Sequence, residues 1–168
     1  MIIISNTSPI NYLILISHVN LLPQLFQQII IPQAVYSELS DASAPSPVQA
    51  WIATPPDWLK IQPVNQPSDA ILELLDPGER AAILLAEELK ADLLLLDEMK
   101  ARRTATDRGL TITGVLGILD QAATMNLIDL PAAVQALQNT SFWASESLFQ
   151  KLLDKHSSAA KTKRAQHD

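Results

Sequence analysis

Asn6, Glu38, Glu79 and Asp97 are the residues of this chain whose types and positions suit chemistry. Each follows an apolar strand or lies in an early helix near one. Oxygen donors of this kind suit a hard divalent cation such as Mg2+ or Mn2+. Such an ion polarises a phosphodiester and lowers the pKa of a bound water, which generates the nucleophile for hydrolysis. Position alone is a weak signal, because any α/β chain carries acids at its strand ends. Glu79 also has a structural reading, since an acid in a first helical turn offsets the helix dipole. Glu38, at the polar end of an amphipathic helix, also reads as merely solvated. Asp97 is the hardest to dismiss: an acid that ends the run Leu93-Leu94-Leu95-Leu96 is partly desolvated unless paired.

The elements that must position these groups follow from that run. Four Leu in succession are too short for a membrane span and read as a strand covered on both faces, stopped by Asp97-Glu98. The opening Ile2-Ile3-Ile4-Ser5-Asn6 has the same design. If the two strands are neighbours, Asn6 and Asp97 face one crevice outside the carboxyl ends of the strands, where open α/β sheets place their ligands.

A second buried strand is expected at Ile29-Ile30-Ile31 and a further short one at Leu110-Thr111-Ile112-Thr113, with an edge strand near Leu59–Ile61. Helices are expected from Ser8-Pro9 to Leu15, Val19 to Phe26, Pro32 to Leu39 and Val48 to Ala53. Asp76-Pro77-Gly78-Glu79 starts a longer one, with Asp76 as cap and Pro77 at the first position. Others follow over Glu98–Thr106 (stopped by Gly109), Gly114–Met125, Pro131–Leu137 and Glu146–His156. Residues 41–48 and 54–67 are rich in Pro and Ser and read as surface connections, although Trp51 and Trp58 need something to pack against. Strands alternating with helices predict an α/β fold with a mainly parallel sheet and helices on both faces.

The length of 168 residues suits one domain with a substantial core, expected over residues 1–156, followed by a polar tail at 157–168 expected to be flexible. The hydrophobic share of 48% suits a globular protein. With no Cys, disulfides and thiolate metal sites are excluded. No stretch reads as a signal peptide or a membrane span, so a cytoplasmic address and no membrane partner are expected.

The net charge of −6 argues against a nucleic-acid footprint over the whole surface. Positive charge is nevertheless concentrated at Lys100, Arg102, Arg103 and Arg108, and again at Lys161, Lys163 and Arg164. A basic lip beside an acidic pocket would hold a phosphodiester near a metal; the plain alternative is a solvated helix face. His18, His156 and His167 lack ligand spacing, and Ser8 has no evident His partner. Gly114 and Gly117 lack the Lys-Ser or Lys-Thr of a phosphate loop and read instead as letting the Thr113–Gly114 turn approach the first strand.

The blocks I-I-I-S-N-T-S-P-I, I-I-I-P-Q-A-V-Y-S-E-L, L-D-P-G-E-R-A-A-I-L-L-A, A-D-L-L-L-L-D-E and L-T-I-T-G-V-L-G-I-L resemble the PIN domain. More narrowly they resemble a prokaryotic PIN-like branch of unassigned function, over roughly residues 2 to 155. The resemblance implies a three-layer α/β/α sandwich and a metal-dependent ribonuclease site made by acids at strand ends. It places Asn6 where the first Asp usually stands, and Glu38, Glu79 and Asp97 at the other acid positions, with Glu98 assisting. Thr7 and Ser8 would hold the first side chain or a metal-bound water, with Lys100, Arg102 and Arg103 on the backbone phosphates. It also implies Mg2+ or Mn2+ as cofactor and RNA as substrate. Small PIN proteins are often toxins of toxin–antitoxin pairs, which makes an antitoxin a candidate partner and a homodimer an expectation.

Asn6 departs from the pattern. Its amide oxygen can ligate a cation but brings no negative charge and cannot act as a base. That departure and the acidic net charge motivate an alternative: a catalytically degenerate PIN-like module that binds a partner protein or RNA without cleaving it. A receiver-like domain phosphorylated on Asp97 ranks last, because it lacks the acidic pair after the first strand and the late Lys. The apolar group Phe142, Trp143, Leu148, Phe149, Leu152 and Leu153 either completes the core or covers a partner.

Overall fold

The computed structural model describes the backbone of residues 1–167 and the side chains of residues 1–157. Five short strands form one sheet: β1 (Ile3–Ser5), β2 (Ile29–Pro32), β3 (Leu59–Gln62), β4 (Leu93–Leu95) and β5 (Ile112–Thr113). Their order is β3-β2-β1-β4-β5 and every pairing is parallel. The chain winds outward from β1 to β3 and then returns to β1's other side with β4. That reversal puts a topological switch point between β1 and β4, the place where such sheets open a crevice at their carboxyl ends. The expected adjacency of the two strands therefore holds, in the register Ile3↔Leu93, Ile4↔Leu94 and Ser5↔Leu95.

Alternation along the strands sends successive side chains to opposite faces. Ile4, Leu94 and Leu96 pack with Ala82, Ile83, Leu85 and Ala86 of α5 (Pro77–Glu88) and with Ala101 and Ala105 of α6 (Met99–Asp107). Their neighbours Ile3, Leu95, Ile29 and Ile31 are buried too. Both faces are thus covered, and the architecture is the three-layer α/β/α arrangement expected.

The other helices that begin at the sheet's carboxyl edge before β3 are α1 (Thr7–Leu15), directly after β1, and α3 (Gln33–Ser40), directly after β2. Two more, α2 (Leu21–Phe26) and α4 (Ser46–Ala53), complete the connections before β3, and a 3-10 turn at Leu72–Leu74 precedes α5. Trp51 and Trp58 satisfy each other, with ring centroids 5.7 Å apart. Helix α1 begins at Thr7 with Asn6 in the capping position, two residues earlier than Pro9 suggested. Pro at the third helical position is tolerated because its missing N–H would have had no partner there. Gly109, at φ +82°, stops α6's last turn as expected.

By its internal packing the chain divides into two units, the sheet-bearing Met1–Val115 and a helical unit from Leu116 onward. The second unit carries most of α7 (Val115–Thr124), α8 (Leu130–Gln138) and α9 (Glu146–His167). Within it, Asp120 accepts from Lys155 Nζ at 2.9 Å and meets His156 Nε2 at 2.7 Å. Phe149 is buried edge-to-face against Phe142, while Trp143 and Leu148 are exposed. The late apolar group is therefore split between core and surface. Helix α9 continues past the His156 end expected from the sequence. The expected flexibility of 157–168 falls on residues that lie, apart from the start of the segment, outside the described side chains.

Candidate active site

The first group at the switch point is Asn6, whose N–H donates to the Leu95 carbonyl at 2.9 Å and so extends the β1–β4 ladder by one residue. Its side chain is buried at 4% exposure, and its Oδ1 meets no hydrogen-bond donor among the described residues. A buried amide oxygen left without a donor is costly and uncommon. It does not cap α1, although it occupies the capping position.

Glu38, near the end of α3, reaches back to two elements. Its Oε2 accepts from the hydroxyl of Thr7, and its Oε1 accepts from the backbone N–H of Gly78 at 3.1 Å. It is therefore not simply solvated. The first turns of α1 and α5 are both drawn to one carboxylate. Ser8 stands beside Thr7 in α1, half-buried.

Glu79 follows Gly78 and does two things. With Asp76 it forms a capping box: Asp76 Oδ1 accepts from the Glu79 N–H at 2.9 Å, and Glu79 Oε1 accepts from the Asp76 N–H at 3.2 Å. The structural reading of Glu79 as a first-turn acid is thus part of the answer. Its carboxyl is nevertheless buried, and burial first, then the neighbouring Asp76 carboxylate and, more weakly, Glu98, push its pKa up to about 7.

Asp97 leaves β4 one residue after the buried Leu96. Burial pushes its carboxyl up to about 6, opposed by the N–H of Val115 and the charge of Arg102. The Val115 N–H lies 3.1 and 3.3 Å from its two oxygens. Glu98 instead caps α6 by accepting from the Ala101 N–H at 2.8 Å, a structural task.

The basic lip resolves into separate roles. Arg102 is half-buried beside Asp97 and donates to the Leu96 carbonyl at 2.8 Å. Lys100 and Arg103 are exposed, with Lys100 Nζ 3.4 Å from the Leu74 carbonyl. Arg108 does not belong to the lip, because it pairs with Asp69 at 2.9 Å and Glu87 at 2.8 Å. Lys161, Lys163 and Arg164 lie outside the described side chains. Gly114 also departs from expectation: it follows β5, which pairs with β4 and not with β1, and a Cβ there would meet the Asp97 carboxylate and the Arg102 guanidinium.

The PIN domain family model matches residues 2–158 of this chain. The chain belongs to the PIN domain family. No curated protein and no solved structure matches it. PIN domains generally use divalent metal ions. The donors of this PIN domain are all oxygen, as a hard cation requires. The orphaned Asn6 Oδ1 lacks the partner an ion would provide, and burial holds the carboxyls of Glu79 and the half-buried Asp97 above their ordinary pKa values, the latter despite Arg102. No three acidic or His side chains among the described residues converge as a cage. Mg2+ needs no such cage, since it is held by one or two carboxylates and keeps several waters. The residue set fits the ion.

Proposed function

We propose that this PIN domain is a Mg2+- or Mn2+-dependent endoribonuclease with its site at the β1/β4 switch point. The observation that carries the reading is the buried, unpartnered Asn6 Oδ1 at that point. Asp97 and Glu79 would hold the ion with Asn6, and Glu38 would complete the acidic side of the site. When bound, the ion would supply a hydroxide-like water and polarise the scissile phosphate. Thr7 fixes the Glu38 carboxylate through its hydroxyl. Arg102 supplies positive charge beside Asp97, and the exposed Lys100 and Arg103 would take phosphates of the RNA backbone. Family resemblance and small size support the finer reading of a toxin paired with an antitoxin protein.

Incubation of the protein with a mixed-sequence single-stranded RNA tests the activity. Cleavage is expected with Mn2+ or Mg2+, and its loss with chelator and in Asp97→Asn. The neutral Asn6 favours one competing reading, a PIN module that binds RNA or a protein without cutting. Retention of the RNA with no cleavage at any divalent ion would establish that reading instead.

A further inference from the structure

Two glycines stand against two acids of the site, and neither needs to be glycine for its backbone. Positive φ among the described glycines occurs at Gly109, not at Gly78 or Gly114. Gly78 lies in the first turn of α5, where Ala would be the better helix former. The reason for glycine is therefore space. A Cβ on Gly78 would lie 2.5 Å from both carboxylate oxygens of Glu38. One on Gly114 would strike Asp97 Oδ1 and lie 2.8 Å from the Arg102 guanidinium. In both cases a backbone N–H at or next to the glycine donates to the same carboxylate: Gly78's own to Glu38, and that of Val115 to Asp97.

We propose that Gly78 and Gly114 are positioning residues, whose missing Cβ atoms let the Glu38 and Asp97 carboxylates lie flat against the backbone at the sheet's carboxyl edge. The metal part of this inference rests on the proposed function; the placement of the acids does not. At Gly78 the atoms in the way are the far end of a flexible side chain. A methyl there displaces the carboxylate and leaves the fold in place. Asp97 is shorter and more enclosed, so Gly114→Ala disturbs its surroundings more.

The experiment compares wild type, Gly78→Ala, Gly114→Ala, Glu38→Asp and the double variant Gly78→Ala/Glu38→Asp. Thermal unfolding in chelator checks folding. Amide exchange by NMR on the metal-free proteins reads the Glu38 and Asp97 contacts at residues 78 and 115, and calorimetry reads Mn2+ affinity. Gly78→Ala is expected to melt close to wild type while its residue-78 amide exchanges at least tenfold faster and Mn2+ binds at least tenfold more weakly. Shortening the acid in the double variant makes room for the methyl, so it is expected to bind Mn2+ more tightly than Gly78→Ala. A folded Gly78→Ala with wild-type exchange at residue 78 overturns the inference, whatever the metal does. Altered exchange in a protein whose wild type binds no Mn2+ keeps the positioning role and overturns the metal reading.

Discussion

Asn6 and Asp97 carry opposite kinds of deficit, and under the proposed function a single cation would answer both. The amide oxygen lacks a donor, and the carboxyl lacks a counter-charge beyond the partial help of Arg102 and the Val115 N–H. Removing the Asp97 charge should therefore not destabilise the metal-free protein. Asp97→Asn at pH 8 in chelator is expected to melt at or above the wild-type temperature, because a desolvated charge has gone while one acceptor for the Val115 N–H remains. The same variant should lose any stabilisation by Mn2+. Placing an acid at position 6 gives the converse. Asn6→Asp is expected to bind Mn2+ about tenfold more tightly, corresponding to roughly 1.4 kcal/mol, and to melt lower than wild type at pH 8 in chelator. Calorimetry and thermal unfolding check both. Of the residues involved, Asp97 was legible in the sequence because it ends a run of four Leu. The orphaned state of Asn6 was not, since it depends on what β4 brings alongside β1.

At the level of elements, Glu79 separates two roles that sequence could only list. The Asp-Pro-Gly-Glu start of α5 announces its cap, and the capping box is present. Asp76→Ala is expected to cost about 1 kcal/mol in denaturant unfolding. Glu79→Gln keeps a side chain that can serve in the box and removes a charge that burial disfavours, so at pH 8 in chelator its stability should equal or exceed that of wild type while Mn2+ binding weakens. A Gln variant that binds Mn2+ as well as wild type would leave Glu79 only its structural task. The strand cores, the helix order and the Gly109 stop were all legible from apolar runs and turn residues. What was not legible lay in contacts between distant elements. Arg108 reads as one more basic residue at the end of α6 until Asp69 and Glu87 are seen to hold it. His156 reads as isolated until α7 presents Asp120 to it. Gly78 had one sequence signal, a poor helix former in the first turn of a well-capped helix, but the Glu38 carboxylate above it lies 40 residues away.

For the whole molecule, the raised carboxyls tie stability to pH. Glu79 and Asp97 titrate at about 7 and about 6 in the folded protein, against ordinary values of 4.5 and 3.8. Between about pH 4 and pH 7 the folded state therefore binds more protons than the unfolded one. Stability of the metal-free protein should fall as pH rises through that window and then level off. Denaturant unfolding in chelator from pH 4 to 8 reads this, and the double variant Glu79→Gln/Asp97→Asn should flatten the curve. A chain of net charge −6 gains little from long-range attraction to RNA, so substrate binding should depend on the local cations and the bound ion. Calorimetric titration of Mn2+ into the purified protein and into Asp97→Asn reads whether the switch point holds a divalent cation. Saturable binding by the wild type that is lost in a folded Asp97→Asn is the predicted result. No binding by the folded wild type, or equal binding by both, would contradict it.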